Sequence, residues 1–164
     1  MMADRSPTTY RKATVDDIDI LTRFRLMFLA KMRSEPSEPT HLTEAIRSYF
    51  DRTIPSGEFL AYLAIRSGQV VGVGGMAVYE LPPLCAPRLR KKGCVLNMYT
   101  MPAARRTGVA GQILDLLIAE ARNLGLSHIH LRATDEGIGL YRQAGFSEPR
   151  FLEMELALEP AAHG

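Results

Sequence analysis

The stretch Asn97 to Gly111 reads NMYTMPAARRTGVAG. It follows a strand-like run, Cys94 to Met101, which Pro102 ends because proline cannot donate to a sheet ladder. A short turn leads into a strong helical pattern from about Gly108 to Leu124. There Ala110, Leu114, Leu117, Ala121 and Leu124 share one face, and Gly125 supplies a stop signal. The first backbone amides of a helix have no intrahelical acceptor and carry the positive end of its dipole. Such a helix start is an anion site suited to phosphate. Gly108, Ala110 and Gly111 let a ligand approach the backbone closely, and Arg105 and Arg106 add charge at the same point. The stretch is neither a Walker A loop, which needs Gly-Lys-Ser/Thr at its end, nor a Gly-x-Gly-x-x-Gly dinucleotide fingerprint.

Upstream, Phe59 to Arg66 and Gln69 to Tyr79 read as strands joined by Ser67-Gly68, a hairpin signal. Gly72, Gly74 and Gly75 in the second run point to a bulge or to close approach by another group. Glu80 to Gly93 reads as a loop with three prolines and a basic cluster. Earlier still, Leu42, Ala45, Ile46, Tyr49 and Phe50 form one helical face, and Ile18 to about Arg33 forms another. Thr14 and Asp17 have capping-box spacing, and a short strand is expected at Tyr10 to Ala13. Downstream, Ile129, Leu131 and Ala133 alternate with His128, His130 and Arg132, as in a half-buried strand. A short helix from Glu136 to Gln143 and a last strand from Phe151 to Leu158 complete the order β-α-α-β-β-β-α-β-α-β. That is a mixed α/β fold on one sheet.

The chain has 164 residues, with 46% apolar and 23% charged side chains and a net charge of +2. That length suits one domain, residues 1–164, with residues 1–9 expected to be flexible and 159–164 a tail. The composition argues against disorder, and no apolar run approaches the roughly 18 residues of a membrane span. The N-terminal MMADRSPTTY lacks the apolar core of a secretory signal. Cys85 and Cys94 cannot build a disulfide framework or a zinc cluster, so a reduced, cytoplasmic protein without a metal is expected.

A second stretch, Thr134 to Phe146 (TDEGIGLYRQAGF), connects these readings to a family. Arg105-x-x-Gly108-x-Ala110 resembles the Gln/Arg-x-x-Gly-x-Gly/Ala signature of the GCN5-related N-acetyltransferases (GNAT). Leu140-Tyr141-Arg142-Gln143-Ala144-Gly145-Phe146 is similar to that family's second signature, in which Leu-Tyr and Gly-Phe bracket a short helix. One helix and one strand lie between the two motifs, as in the family. Only residues 95–146 carry motifs, although the order of elements matches along nearly the whole chain.

The resemblance implies a single mixed sheet of six to seven strands with about four helices. It implies acetyl-CoA as co-substrate, whose pantetheine arm lies where the sheet splays between its fourth and fifth strands. Met98, Tyr99 and Thr100 would line that arm, and one N–H in the family's bulge would polarise the thioester carbonyl. The pyrophosphate would sit on the amides of Arg106, Thr107, Gly108, Val109, Ala110 and Gly111, beside Arg105. Thr134 matches a position that contacts the cofactor. Tyr141 matches the tyrosine that serves as general acid toward the departing thiolate. The resemblance supplies no general base, because the strand from Cys94 to Met101 contains no acid. Glu80, Asp135, Glu136 and a water relay remain open.

The implied activity is transfer of an acetyl group to a primary amine by direct attack in a ternary complex. The acceptor is a small-molecule or peptide amine, and relatives often form homodimers. The alternative is a non-catalytic acyl-CoA-binding or regulatory module on the same fold. Loops at Ser34 to His41 and Glu80 to Lys92 would shape the acceptor site. Arg88, Arg90, Lys91 and Lys92 read as a solvated basic loop. An RNA-binding role for them would show as salt-sensitive affinity, but interleaved aromatics are missing. His128 and His130 lack a third ligand for a metal, and Cys85 reads as incidental.

Overall fold

The computed structural model describes residues 6–32, 39–84 and 90–158. Cys85, Arg88, the tail 159–164 and most of the loop 34–41 lie outside the described residues. Strand β1 (Thr8–Lys12) is followed by a one-turn 3₁₀ helix and helix α1 (Ile18–Met32). The Thr14/Asp17 capping box is formed, and Arg11 holds the Asp17 carboxyl below its usual range by a two-pronged ion pair. Helix α2 (Pro39–Ser56) precedes the hairpin of β2 (Phe59–Arg66) and β3 (Gln69–Leu81). Then come β4 (Arg90–Thr100), α3 (Val109–Asn123), β5 (His128–His130) and α4 (Ile138–Gln143).

Among the described residues the sheet has five strands in the order β1-β2-β3-β4-β5, antiparallel except for the parallel β4–β5 pair. Strand alternation gives each face its own core. Phe59, Ala61, Leu63 and Val73 pack under α1 and α2 with Leu21, Phe24 and Phe50. Leu60, Ala64, Met76 and Val95 pack under α3, against Val109, Ile113, Leu114 and Leu117. The glycines of β3 let α3 come close: a Cβ at Gly72 would strike Val109, and one at Gly74 would strike Met98 and Ile113.

Four expectations are corrected. Among the described residues the sheet has five strands, not six to seven, because 151–158 forms no strand: its side chains Phe151, Leu152, Met154, Leu156 and Leu158 are 77–86% exposed. A strand needs an edge to pair with, and alternation alone does not supply one. The N-terminal strand begins at Thr8, so residues 8 and 9 are paired into the sheet rather than flexible. Glu80 and Leu81 belong to β3, and Arg90 to Gly93 belong to β4, so the expected loop is shorter at both ends. Finally, β5 ends at His130, and Leu131 to Ala133 leave the ladder. No helix among the described residues is long and apolar enough to cross a membrane.

Candidate active site

Strands β4 and β5 pair only at Lys92–His128, Gly93–Ile129 and Cys94–His130. Residues 95–100 of β4 continue with β3 on one side and, among the described residues, with no strand on the other. The sheet therefore opens into a gap beside Met98, Tyr99 and Thr100. Within it, Leu96 pairs with Gly75 and Tyr99 with Val73, so Asn97 and Met98 together oppose Gly74. That is a β-bulge, with Asn97 in the left-handed region at φ 58°. Asn97 is 5% exposed, and its Oδ1 accepts a 2.6 Å hydrogen bond from Arg25 Nη1. Bulges turn backbone groups out of the ladder, which frees them to face a ligand.

Met98 and Tyr99 point to opposite faces. Met98 packs in the α3 core, whereas Tyr99 meets Phe24 edge-on at 5.9 Å in the α1 core. Thr100 ends the strand, and its carbonyl accepts a 3.1 Å bond from Arg105 Nε. The Arg105 guanidinium lies 5.8 Å over the Tyr99 ring, so this side chain is folded back along β4.

The turn from Pro102 to Gly108 is a second built feature. Gly108 is the N-cap of α3 at φ 83°, a conformation that only glycine adopts without strain, and a Cβ there would meet nothing within 4 Å. The first helical hydrogen bond runs from Gln112 N to Gly108 O at 3.0 Å. The amides of Val109, Ala110 and Gly111 thus precede the ladder and face outward at the positive end of a 15-residue helix. The Val109 side chain is buried in the core, which leaves its amide as the only group it could offer a ligand. Thr107 Oγ1 donates to Ala104 O at 2.7 Å and accepts from Arg66 Nη2 at 3.1 Å. Arg105 and Arg106 are exposed. The open space at Gly108, the free amides and the surrounding arginines suit a diphosphate.

Tyr141 sits on α4, on the α3 side of the sheet. Gly145 adopts φ 98°, so its amide reaches Arg142 O and that of Phe146 reaches Tyr141 O, both at 3.0 Å. This helix stop turns Phe146 back onto Tyr141, with ring centroids 5.9 Å apart. The Gly-Phe pair therefore fixes the Tyr141 ring. Burial raises the Tyr141 pKa above that of an ordinary phenol, and its hydroxyl has no hydrogen-bond partner among the described residues. A cleft of about 890 Å³ beside β5 reaches Tyr141 and is bordered by Glu153. Thr134 is exposed and closes the turn into α4, its Oγ1 accepting from Gly137 N at 3.3 Å.

The remaining candidates separate by position. Glu80 is at the opposite end of the sheet, 3.8 Å from Lys91, roughly 20 Å of strand from the bulge. Glu136 is exposed, and Lys31 and then Arg105 hold its carboxyl below the usual range. Asp135 is exposed in the same turn. Tyr79 Oη and His130 Nε2 are 2.8 Å apart, and among the described residues no three His, Cys, Asp or Glu side chains cluster as metal ligands. Burial raises the Cys94 thiol pKa.

The match of the acetyltransferase (GNAT) family model to residues 26–146 fits this architecture. The chain belongs to the GNAT family. A predicted acetyltransferase from Clostridium acetobutylicum, solved with acetyl-CoA, is 28% identical, with 91% of this chain and 96% of that one aligned at a TM-score of 0.81. A GCN5-related N-acetyltransferase from Ralstonia eutropha JMP134 is 22% identical over 92% and 99% of the two chains, with a TM-score of 0.79. Glucosamine-6-phosphate N-acetyltransferase from Arabidopsis thaliana shares the fold at 14% identity and a TM-score of 0.69, over 94% and 100%. No curated protein matches the chain significantly.

Two residues of this candidate site were not singled out from the sequence. Arg66 reaches Thr107 from β2, 41 positions away, and nothing local in the sequence signals it. Asn97 carried a usable signal: asparagine is depleted in strand interiors and tolerates the left-handed region, so it marked the bulge.

Proposed function

We propose that this protein transfers the acetyl group of acetyl-CoA to a primary amine within a ternary complex. The observation that carries this reading is the pairing of an open β4–β5 gap with a free helix start at one end of the same strand. One long ligand with a diphosphate and a thioester arm would occupy both. The diphosphate would rest on the amides of Val109, Ala110 and Gly111, with Arg66 and Arg106 adding positive charge nearby. The thioester arm would run along Met98, Tyr99 and Thr100, where the bulge turns a backbone N–H toward the carbonyl oxygen. Such a donor stabilises the negative charge that grows on that oxygen as the amine attacks.

In the reaction the amine lone pair forms a C–N bond to the carbonyl carbon, and the C–S bond then breaks. The electron pair leaves on sulfur, which takes the Tyr141 phenol proton. Because burial raises its pKa, the phenol stays protonated across neutral pH and is ready to donate. The amine proton leaves to water, and Tyr141 recovers its own proton from solvent. Holding both reactants in one gap supplies much of the acceleration. The alternative of a non-catalytic acyl-CoA-binding module is weakened by the free Tyr141 hydroxyl, which such a module would not need.

Calorimetric titration with acetyl-CoA, beside CoA and ATP, tests the cofactor. Micromolar acetyl-CoA binding without ATP binding is expected, followed by CoA release with an amine panel. Absence of binding by both CoA species would sink the proposal.

A further inference from the structure

Arg25 is half-buried and has no counter-charge among the described residues. It lies on α1 above the β4 bulge, and its Nη1 donates 2.6 Å to the neutral Oδ1 of Asn97. Its guanidinium stands 5.6 Å from the Phe28 ring centroid. Among the described residues it has no carboxylate partner, and its other N–H groups have no protein acceptor. Glu136 pairs with Lys31, and Glu58 lies 3.7 Å from Arg52. Burial lowers the pKa of Arg25, and only the Tyr49 phenol works against that fall. Arg52 and Arg105, which lie over Tyr49 and Tyr99, add further positive charge to this face.

A desolvated, unpaired guanidinium costs stability, and a buried charge is normally matched. Arginine presents five donors in a planar fork suited to carboxylate and phosphate. One donor here is spent on Asn97, which fixes the fork at the bulge. The location adds the second half of the argument. The cofactor and Tyr141 would occupy the α3 side of the gap, which leaves an acceptor to approach from the α1 and α2 side. Arg25 stands on that side beside Phe28, and Tyr49 and Tyr99 belong to the same face.

We propose that Arg25 binds an anionic group of the acceptor, so that the preferred substrates are primary amines that also carry a carboxylate or a phosphate. This rests on the acetyl-transfer reading. Asn97 contributes by orienting the guanidinium, and the bulge sets the distance between the bound anion and the thioester.

The test uses matched pairs on the full chain: amino acids against their amides, and glucosamine 6-phosphate against glucosamine. CoA release is followed with each, and the two arms separate carboxylate from phosphate recognition. In at least one arm the anionic member is expected to show a kcat/KM at least about tenfold higher, as a charge-assisted bidentate contact would give. Arg25→Gln should collapse that ratio toward one, mainly through KM, with acetyl-CoA affinity unchanged, and Arg25→Lys should restore part of it. Equal turnover of the paired compounds, or a preference that survives in Arg25→Gln, would overturn the proposal. So would an Arg25→Gln variant that loses kcat equally on all acceptors, because that pattern marks a bulge support and not a recognition group. If no acceptor is turned over, calorimetry of the same pairs in the presence of CoA decides: no discrimination in binding rejects the Arg25 site. Failure of acetyl-CoA itself to bind rejects the transferase reading separately.

Discussion

The chain after β4 and the chain after α4 begin alike and end differently. Each leaves an ordered element with a sequence pattern that is easy to read. After β4, the turn from Pro102 to Gly108 delivers α3, whose Val109, Ile113, Leu114 and Leu117 are at most 1% exposed. After α4, Gly145 and Phe146 make a tight stop, and then Leu152, Met154, Leu156 and Leu158 alternate with Glu153 and Glu155 in near-ideal strand order. Yet those apolar side chains are at least 81% exposed. A helix satisfies its own backbone and needs only one face to bury, whereas a strand must find both a ladder and a face. Pattern therefore predicts helices from local information and predicts strands only conditionally.

Stability should show the contrast most strongly. Leu117→Ala removes a fully buried side chain from the α3 core and should cost about 2–5 kcal/mol in denaturant unfolding. A cost under about 1 kcal/mol would mean that α3 is not the organiser of that face.

The next effect concerns the start of the same helix. Gly108→Glu should weaken acetyl-CoA binding by about 100-fold or more, near 2.7 kcal/mol. A carboxylate would then stand where the diphosphate belongs, at the positive end of the helix dipole. Gly108→Ala is the control. It keeps φ 83° under strain of about 1 kcal/mol but adds no charge, so it should lose stability and retain most of the affinity. If Gly108→Glu binds acetyl-CoA as well as the parent does, the cradle is misplaced.

These two regions also explain what was legible. The capping box at Thr14, the Ser67-Gly68 turn, the α3 stop at Gly125 and the Gly145-Phe146 stop all act within a few residues, so the sequence displays them. The Arg105 to Gly111 turn was legible for the same reason. Arg66 beside Thr107 and Arg25 beside Asn97 are long-range contacts, set by which strand and helix lie side by side. The extent of β5 was misread because its alternation continues through Ala133, while β4 turns through its bulge and the two strands part after Cys94. The family resemblance supplied the location of that gap. Periodicity alone would have closed it.

Tyr141 belongs to the part after β5 that did form. Tyr141→Phe should lower kcat by about 10–100-fold with little change in acetyl-CoA affinity, the range of a modest general-acid contribution. The pH dependence carries a sign. A raised phenol pKa keeps the donor protonated, so the parent should not lose general-acid activity until the pH exceeds the ordinary phenol value of 10.0. Tyr141→Phe should abolish that alkaline limb. A parent whose kcat falls well below pH 10, with a fall that Tyr141→Phe removes, would place the phenol in a positive field and contradict the burial argument.

The smallest effect belongs to the segment after α4. Leu156 is 81% exposed, and truncating an exposed side chain leaves neither a cavity nor a lost contact. Leu156→Ala should therefore shift stability by less than about 0.5 kcal/mol, read beside Leu117→Ala under the same denaturant protocol. The comparison depends on this value being small. Glu155 already pairs with Arg132 at 3.2 Å, and Glu153 borders the cleft beside β5, so the segment passes close to an edge strand without joining its ladder. A loss of about 2 kcal/mol or more from Leu156→Ala would show that this side chain is buried in solution. The contrast between the two regions would then be one of order of assembly, with α3 forming from local sequence and 151–158 ordering only after β5 and α4 present a surface to it.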